Sequence, residues 1–134
     1  MIHDWSALER DLRRSLPPRA LVTKRQELLS YDCDGLTMDR HAPPLAVLPE
    51  TTADVAVVLR CCHQHNVPFV ARGSGTGLSG GALVDQEALL VVTSRMRKVL
   101  HVDLENHTVK VQPGVINSWV TVSYTHLTLP TILL

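Results

Sequence analysis

The residues with the clearest chemical purpose form the string RGSGTGLSGG, Arg72 to Gly81. Five of the chain's seven glycines, Gly73, Gly75, Gly77, Gly80 and Gly81, fall within nine residues of it. Ser74, Thr76 and Ser79 fill the gaps with small hydroxyls, and Arg72 opens the stretch. Freezing a glycine costs about 0.4–1 kcal/mol more than freezing an alanine that fits, so five cost roughly 2–5 kcal/mol. That is large against a domain stability of about 5–15 kcal/mol. The string follows directly on a strand-like run, Val67 to Val70, and does not sit in a Ser/Gly linker. Backbone amides with no side chains in the way form an anion-binding concavity, and phosphate is the anion such a nest suits.

Other chemistry-bearing residues carry less. Asp32, Asp34 and Asp39 do not match the spacing of an EF-hand and read as solvated or helix-capping acids. His63 and His65 sit two apart, so they do not share a helix face and read as exposed helix-end polar residues. The three cysteines, Cys33, Cys61 and Cys62, are odd in number, include an adjacent pair and lack a CxxC spacing. They read as reduced and mostly packed, which fits a cytosolic setting. No Ser-His-Asp or Cys-His arrangement follows from spacing, so no catalytic residue and no metal ligand is named.

At 134 residues the chain is one domain at most, or a piece of a larger one. Its formal net charge is zero and only 4% of it is aromatic. Neither a basic surface nor stacking rings are on offer, which argues against nucleic acid as the partner. The N-terminal stretch is charged throughout and lacks a signal-peptide core, and no later run is long enough to span a bilayer. The expected location is cytoplasmic, with peripheral membrane association left open.

Several elements must position the glycine string. Ser6 with Glu9 makes a capping box, and Trp5, Leu8 and Leu12 recur at helical spacing until Pro17-Pro18. Thr23 with Gln26 repeats the box and predicts a second short helix. Leu45 to Leu48 reads as a buried strand. Thr51 and Asp54 then cap a helix whose apolar stripe is Val55, Val58, Leu59 and Cys62, ending near Asn66. Val67 to Ala71 is the next strand, giving a β-α-β unit with parallel strands and a right-handed crossover. Beyond the glycines, Ala88 to Thr93 reads as a third strand. Lys98 to Asp103 and Thr108 to Gln112 read as a hairpin, and a helix starts around Asn117. The fold class is α+β (α/β), with N-terminal helices, the β-α-β unit and a mixed sheet.

Three uses of the glycines compete. Gly75 to Gly80 matches GxGxxG, but a dinucleotide fingerprint needs a helix opening at its last glycine, and there is little room for one here. Asp103 stands at a tolerable distance for a ribose-binding acid, which keeps a nicotinamide- or nucleotide-binding module open. A Walker A loop is excluded, because no lysine occurs between Lys24 and Lys98. In the third use, PPLAVLPETTADVAVVLRCCHQHNVPFVARGSGTGLSGGAL resembles the FAD-binding domain of the vanillyl-alcohol oxidase and p-cresol methylhydroxylase family. It is most similar to its glycolate oxidase D subunit, D-lactate and D-2-hydroxyacid dehydrogenase branch. Pro49, Thr52, Asp54-Val55, VPFVARG, GTGLSGGA, the later VQPGV and the upstream SYDCDGL carry the resemblance, over roughly residues 28–121.

The resemblance implies that the loop, and not a helix end, wraps the FAD pyrophosphate. Gly73 to Gly77 would supply amide donors, with hydroxyl bonds from Ser74, Thr76 and Ser79. Gly80 and Gly81 would let the chain turn close under the cofactor. Arg72 reads equally as a helper to the anion or as a structural strand-end residue. Gly114 and Val115, after Pro113, match the family's second approach to the cofactor, near its adenosine half. Some relatives attach flavin through a histidine in or near the loop. None lies between His65 and His101 here, which implies non-covalent FAD.

The implied activity is oxidation of a small 2-hydroxy acid, with other oxidase subunits as partners. The family's second half-site and substrate domain fall beyond this sequence, so the chain is expected to be an incomplete domain that is inactive alone. Its expected divisions are an N-terminal helical segment at 1–40, the first part of the FAD-binding domain at 41–121, and a tail at 122–134. That tail lacks Asp, Glu, Lys and Arg and reads as non-native. A non-catalytic interaction domain that keeps the fold stays open as the remaining alternative.

Overall fold

The computed structural model describes residues 4–35, 37–84 and 87–121. Helix α1 runs Trp5–Ser15. Its cap is Asp4, not Ser6: the Asp4 carboxylate accepts from the Ala7 amide at 3.0 Å. Starting the helix two residues earlier brings Trp5 onto the core beside Leu8 and Leu12, and leaves Glu9 to pair with Arg13 at 2.8 Å. Pro18 opens a single tight turn to Ala20, and the chain then forms a short strand β1, Leu21–Val22, which the sequence pattern did not predict. Helix α2 is one turn, Arg25–Leu28, with Lys24 at its cap and no side-chain capping bond. The Thr23–Gln26 box therefore does not form; the Thr23 hydroxyl lies 3.4 Å from the Arg13 guanidinium.

The centre of the molecule is a four-stranded sheet in the order β1-β2-β4-β3. Strand β2 is Ala46–Val47, β3 is Phe69–Arg72 and β4 is Leu89–Val92. The last three are mutually parallel, and β1 runs antiparallel on the β2 edge. Helix α3, Thr52–Gln64, connects β2 to β3, and its N-terminus is the full capping box of Thr51 and Asp54. The β-α-β unit thus exists, but β4 is inserted between its two strands.

Strand β4 is buried along its whole length, as a strand covered on both faces must be. Its two-residue period divides the core. Leu89 and Val91 join Leu8, Leu12, Val58 and Cys62 on the α1/α3 side. Leu90 and Val92 join Leu28, Leu48 and Val84 on the other. Of the stripe predicted for α3, Val58 and Cys62 are buried together with Cys61, while Val55 and Leu59 are half-buried. His65 is not simply an exposed helix-end residue: its Nε2 lies 2.8 Å from the Asp11 carboxylate and ties α3 to α1.

Strands β5, Val99–Asp103, and β6, Thr108–Val111, form the expected antiparallel hairpin, with an irregularity between Val99 and His101. Register pairs Val99 with Val111 and Val102 with Val109 on one face, and His101 with Lys110 and Asp103 with Thr108 on the other. Residues 117–121 are helical, where a helix start was expected. The tail at 122–134 lies outside the described residues.

Candidate anion-binding site

The glycine loop leaves the sheet at the C-terminal end of β3, where Arg72 is level with Val92. In parallel α/β sheets this end is where ligands bind. Arg72 is 7% exposed, and its charge turns inward. Its Nη1 donates to the Cys33 carbonyl at 2.8 Å, and the guanidinium carbon stands 5.8 Å from the centre of the Tyr31 ring. The guanidinium lies directly under Gly75, where a Cβ would collide with it. The Arg72 carbonyl accepts from the Thr93 hydroxyl at 3.3 Å.

The five glycines of the loop then separate into two groups. Gly75 and Gly80 have φ of 74° and 73°, a region side chains rarely adopt, so the bend of the chain requires them. Gly73, Gly77 and Gly81 lie outside that region, and a Cβ on any of them would meet nothing within 4 Å. Among the described residues, nothing explains why these three lack side chains. They line an open groove of about 340 Å³ together with Ser74, Thr76 and Ser79. Gly80 faces the back of the loop, onto a smaller cavity of about 270 Å³ that also contains Asp34 and Asp39.

A second segment underlies the loop. The Gly35 amide donates to the Gly77 carbonyl at 3.0 Å, and a Cβ on Gly35 would stand 2.8 Å from the Thr76 carbonyl oxygen. Asp34, only 5% exposed, accepts the Gly80 amide at 2.9 Å. The solvated or helix-capping reading of Asp34 is therefore wrong: a buried carboxylate needs donors, and the loop supplies one. Asp32 faces Arg40 at 3.5 Å, and Asp39 is exposed. Sequence reasoning placed neither Asp34 nor Gly35 at the site.

Gly114 and Val115 do not line the groove. The Gly114 amide donates to the Met96 carbonyl at 2.8 Å, and a Cβ on Gly114 would collide with the Thr93 carbonyl, so there is no room for a side chain. Thr93 links this turn to the base of the loop through the Arg72 carbonyl. Val115 closes a turn onto the Gln112 carbonyl at 3.1 Å.

The arrangement excludes the dinucleotide fingerprint. After Gly80 the chain makes a single turn, Leu83 amide to Gly80 carbonyl at 3.1 Å, and no helix opens at Gly80 or Gly81. Asp103 is occupied in the hairpin, where Asn106 donates its side-chain amide at 2.8 Å and its backbone amide at 3.0 Å. The Asn106 side chain is the main reason the Asp103 carboxyl lies below its ordinary range. Burial pushes the Cys62 thiol up to about 11 and raises Cys61, so both stay protonated near neutrality and supply no nucleophile. Among the described residues, no group of three His, Cys, Asp or Glu is placed to hold a metal, and no helix is long and apolar enough to cross a membrane.

A glycine loop off a parallel strand, with its helix replaced by a groove of bare amides and hydroxyls, defines a class of nucleotide-cofactor domain distinct from the Rossmann type. The chain belongs to the FAD binding domain family, whose model matches residues 43–122. It is 41% identical over 106 residues to the glycolate oxidase subunit GlcD of Escherichia coli K12, covering 79% of this chain and 21% of that protein. It is 35% identical over 74 residues to a D-lactate dehydrogenase of Anaerostipes hadrus, covering 55% of this chain and 16% of the other. The chain thus spans about a fifth of the length of the GlcD relative.

In fold it superposes on p-cresol methylhydroxylase with a TM-score of 0.82 at 22% identity, over 94% of this chain and 25% of that one. Alkyldihydroxyacetonephosphate synthase gives 0.82 at 20% identity, over 92% of this chain and 25% of that one. The cofactor of this family is FAD, and the residues present fit it. Three unexplained open glycines leave room for a ligand to approach the backbone, and the donors are neutral amides and hydroxyls suited to a diphosphate.

Proposed function

We propose that residues 73–77, Ser79 and Gly81 hold the FAD diphosphate against their backbone amides and hydroxyls. The reading rests on the three glycines that no contact among the described residues accounts for. Arg72 serves by supporting Gly75 from beneath, and Gly80 by turning the chain. Gly114 and Val115 act at the adenosine side, reached through Thr93. No histidine lies within the loop, which supports non-covalent attachment.

Residues 41–121 form the cofactor-binding part, with 1–40 as its support. The chain serves a flavin-dependent oxidoreductase that oxidises a small 2-hydroxy acid, of the glycolate or D-lactate kind, in a cytoplasmic or membrane-peripheral setting alongside other oxidase subunits. The bound flavin supplies the hydride-accepting ring; the residues described here bind and orient it. This chain alone supplies the diphosphate half of the site, binds FAD weakly and turns nothing over.

Titration of the ¹⁵N-labelled chain with FAD, and separately with NAD, tests this. Amides of 73–77 and 81 should shift with FAD at lower concentration than with NAD. Shifts confined to other regions, or tighter binding of NAD, would overturn the proposal.

A further inference from the structure

We propose that Asp34 is a positioning residue of the diphosphate loop, acting through the Gly80 amide; this rests on the functional reading above. Residues 73–81 belong to no helix or strand, so no ladder of backbone bonds fixes their shape. A loop that must present amides to a ligand needs other anchors, since binding to a disordered one carries the added cost of ordering it. Segment 31–35 supplies three. The Cys33 carbonyl takes the Arg72 guanidinium at the entry, at 2.8 Å. The Gly35 amide takes the Gly77 carbonyl in the middle, at 3.0 Å. The Asp34 carboxylate takes the Gly80 amide at the far end, at 2.9 Å. Of the three, only the last uses a side chain of the segment.

Charge makes that choice informative. A carboxylate carries the same sign as a diphosphate, so placing it behind the loop opposes the ligand. It is also a stronger acceptor for a peptide N–H than a neutral group. Held from behind, Gly80 turns away from the groove and leaves the arc 73–77 and Gly81 to the ligand. Geometry and charge therefore act in opposite directions at Asp34, and asparagine separates them by keeping an acceptor oxygen without the charge.

The experiment follows amide hydrogen exchange in the full chain without ligand, then titrates FAD. Asp34→Ala should accelerate exchange at Gly80, and at the Gly35 amide that holds the Gly77 carbonyl, at least tenfold, leave Leu90 and Val91 unchanged, and weaken FAD binding at least tenfold. Asp34→Asn should bring exchange back to within threefold of the wild type and bind FAD at least as tightly. Gly35→Ala, which forces a Cβ onto the Thr76 carbonyl with Asp34 intact, should speed exchange at the amide of residue 35 itself, the donor to the Gly77 carbonyl. Gly80 exchange unchanged in Asp34→Ala, or Asp34→Asn matching Asp34→Ala, would overturn the proposal. Should Asp34→Ala unfold the chain, Asp34→Asn decides alone by keeping or losing Gly80 protection. A wild-type chain that ignores FAD while Asp34 still governs Gly80 exchange would overturn the reading of the site and leave the anchor standing.

Discussion

The β4 strand and the glycine loop sit one strand apart and are held by opposite means. Strand β4 is apolar, fully buried and covered on both faces, by side chains of α1 and α3 on one and by Leu28, Leu48 and Val84 on the other. The loop contributes few apolar side chains. It is fixed by a guanidinium beneath it, a carboxylate behind it and one carbonyl–amide bond across it. Burial makes the sheet stable whatever the ligand. Discrete polar anchors make the loop specific in shape while leaving Gly73, Gly77 and Gly81 open along the groove. Substitutions in the two regions should therefore fail differently.

The largest effect belongs to the sheet. Leu90→Ala, at a fully buried position, should destabilise the whole chain by about 2–5 kcal/mol, seen as a lower midpoint in urea. A midpoint shift under 1 kcal/mol would mean that β4 is not the common core of both layers. Next comes Gly75→Ala, which forces a side chain into a left-handed backbone and against the Arg72 guanidinium. It should cost about 1–3 kcal/mol, and exchange should speed up in the loop before it does in β4. Uniform loosening would show that loop and sheet are one cooperative unit. Thr51→Ala removes half of the α3 capping box and should cost about 0.5–2 kcal/mol without altering loop exchange. Smaller still is thiol reactivity at pH 8. Half-buried Cys33 should label first, while Cys62, its thiol raised to about 11, stays protonated and slow. Mass spectrometry of the labelled peptides reads the order directly.

The sheet region was readable in the sequence because its signals are local and periodic. Thr51 with Asp54 announces α3, the apolar run at 88–93 announces β4, and the ENH turn announces the hairpin. Strand order was not readable: the insertion of β4 between β2 and β3 depends on pairings between residues 20 or more apart. The glycines were recognised as a group, but their division was not. Which ones bend the chain and which leave room depends on φ and on neighbours brought in from elsewhere. Asp34 and Gly35 escaped for the same reason. They lie about forty residues before the loop, and the Asp-Gly pair signals only a turn. His65 likewise finds Asp11 across 54 positions.

The most direct test is Gly77→Ala, at a position where a methyl group meets nothing within 4 Å among the described residues. Its melting temperature should equal or slightly exceed that of the wild type, because alanine reduces the freedom of the unfolded chain by about 0.4–1 kcal/mol. Its response to FAD, followed by the amide shifts of 73–77, should weaken at least tenfold. FAD binding equal to that of the wild type in a stably folded Gly77→Ala chain would contradict the account.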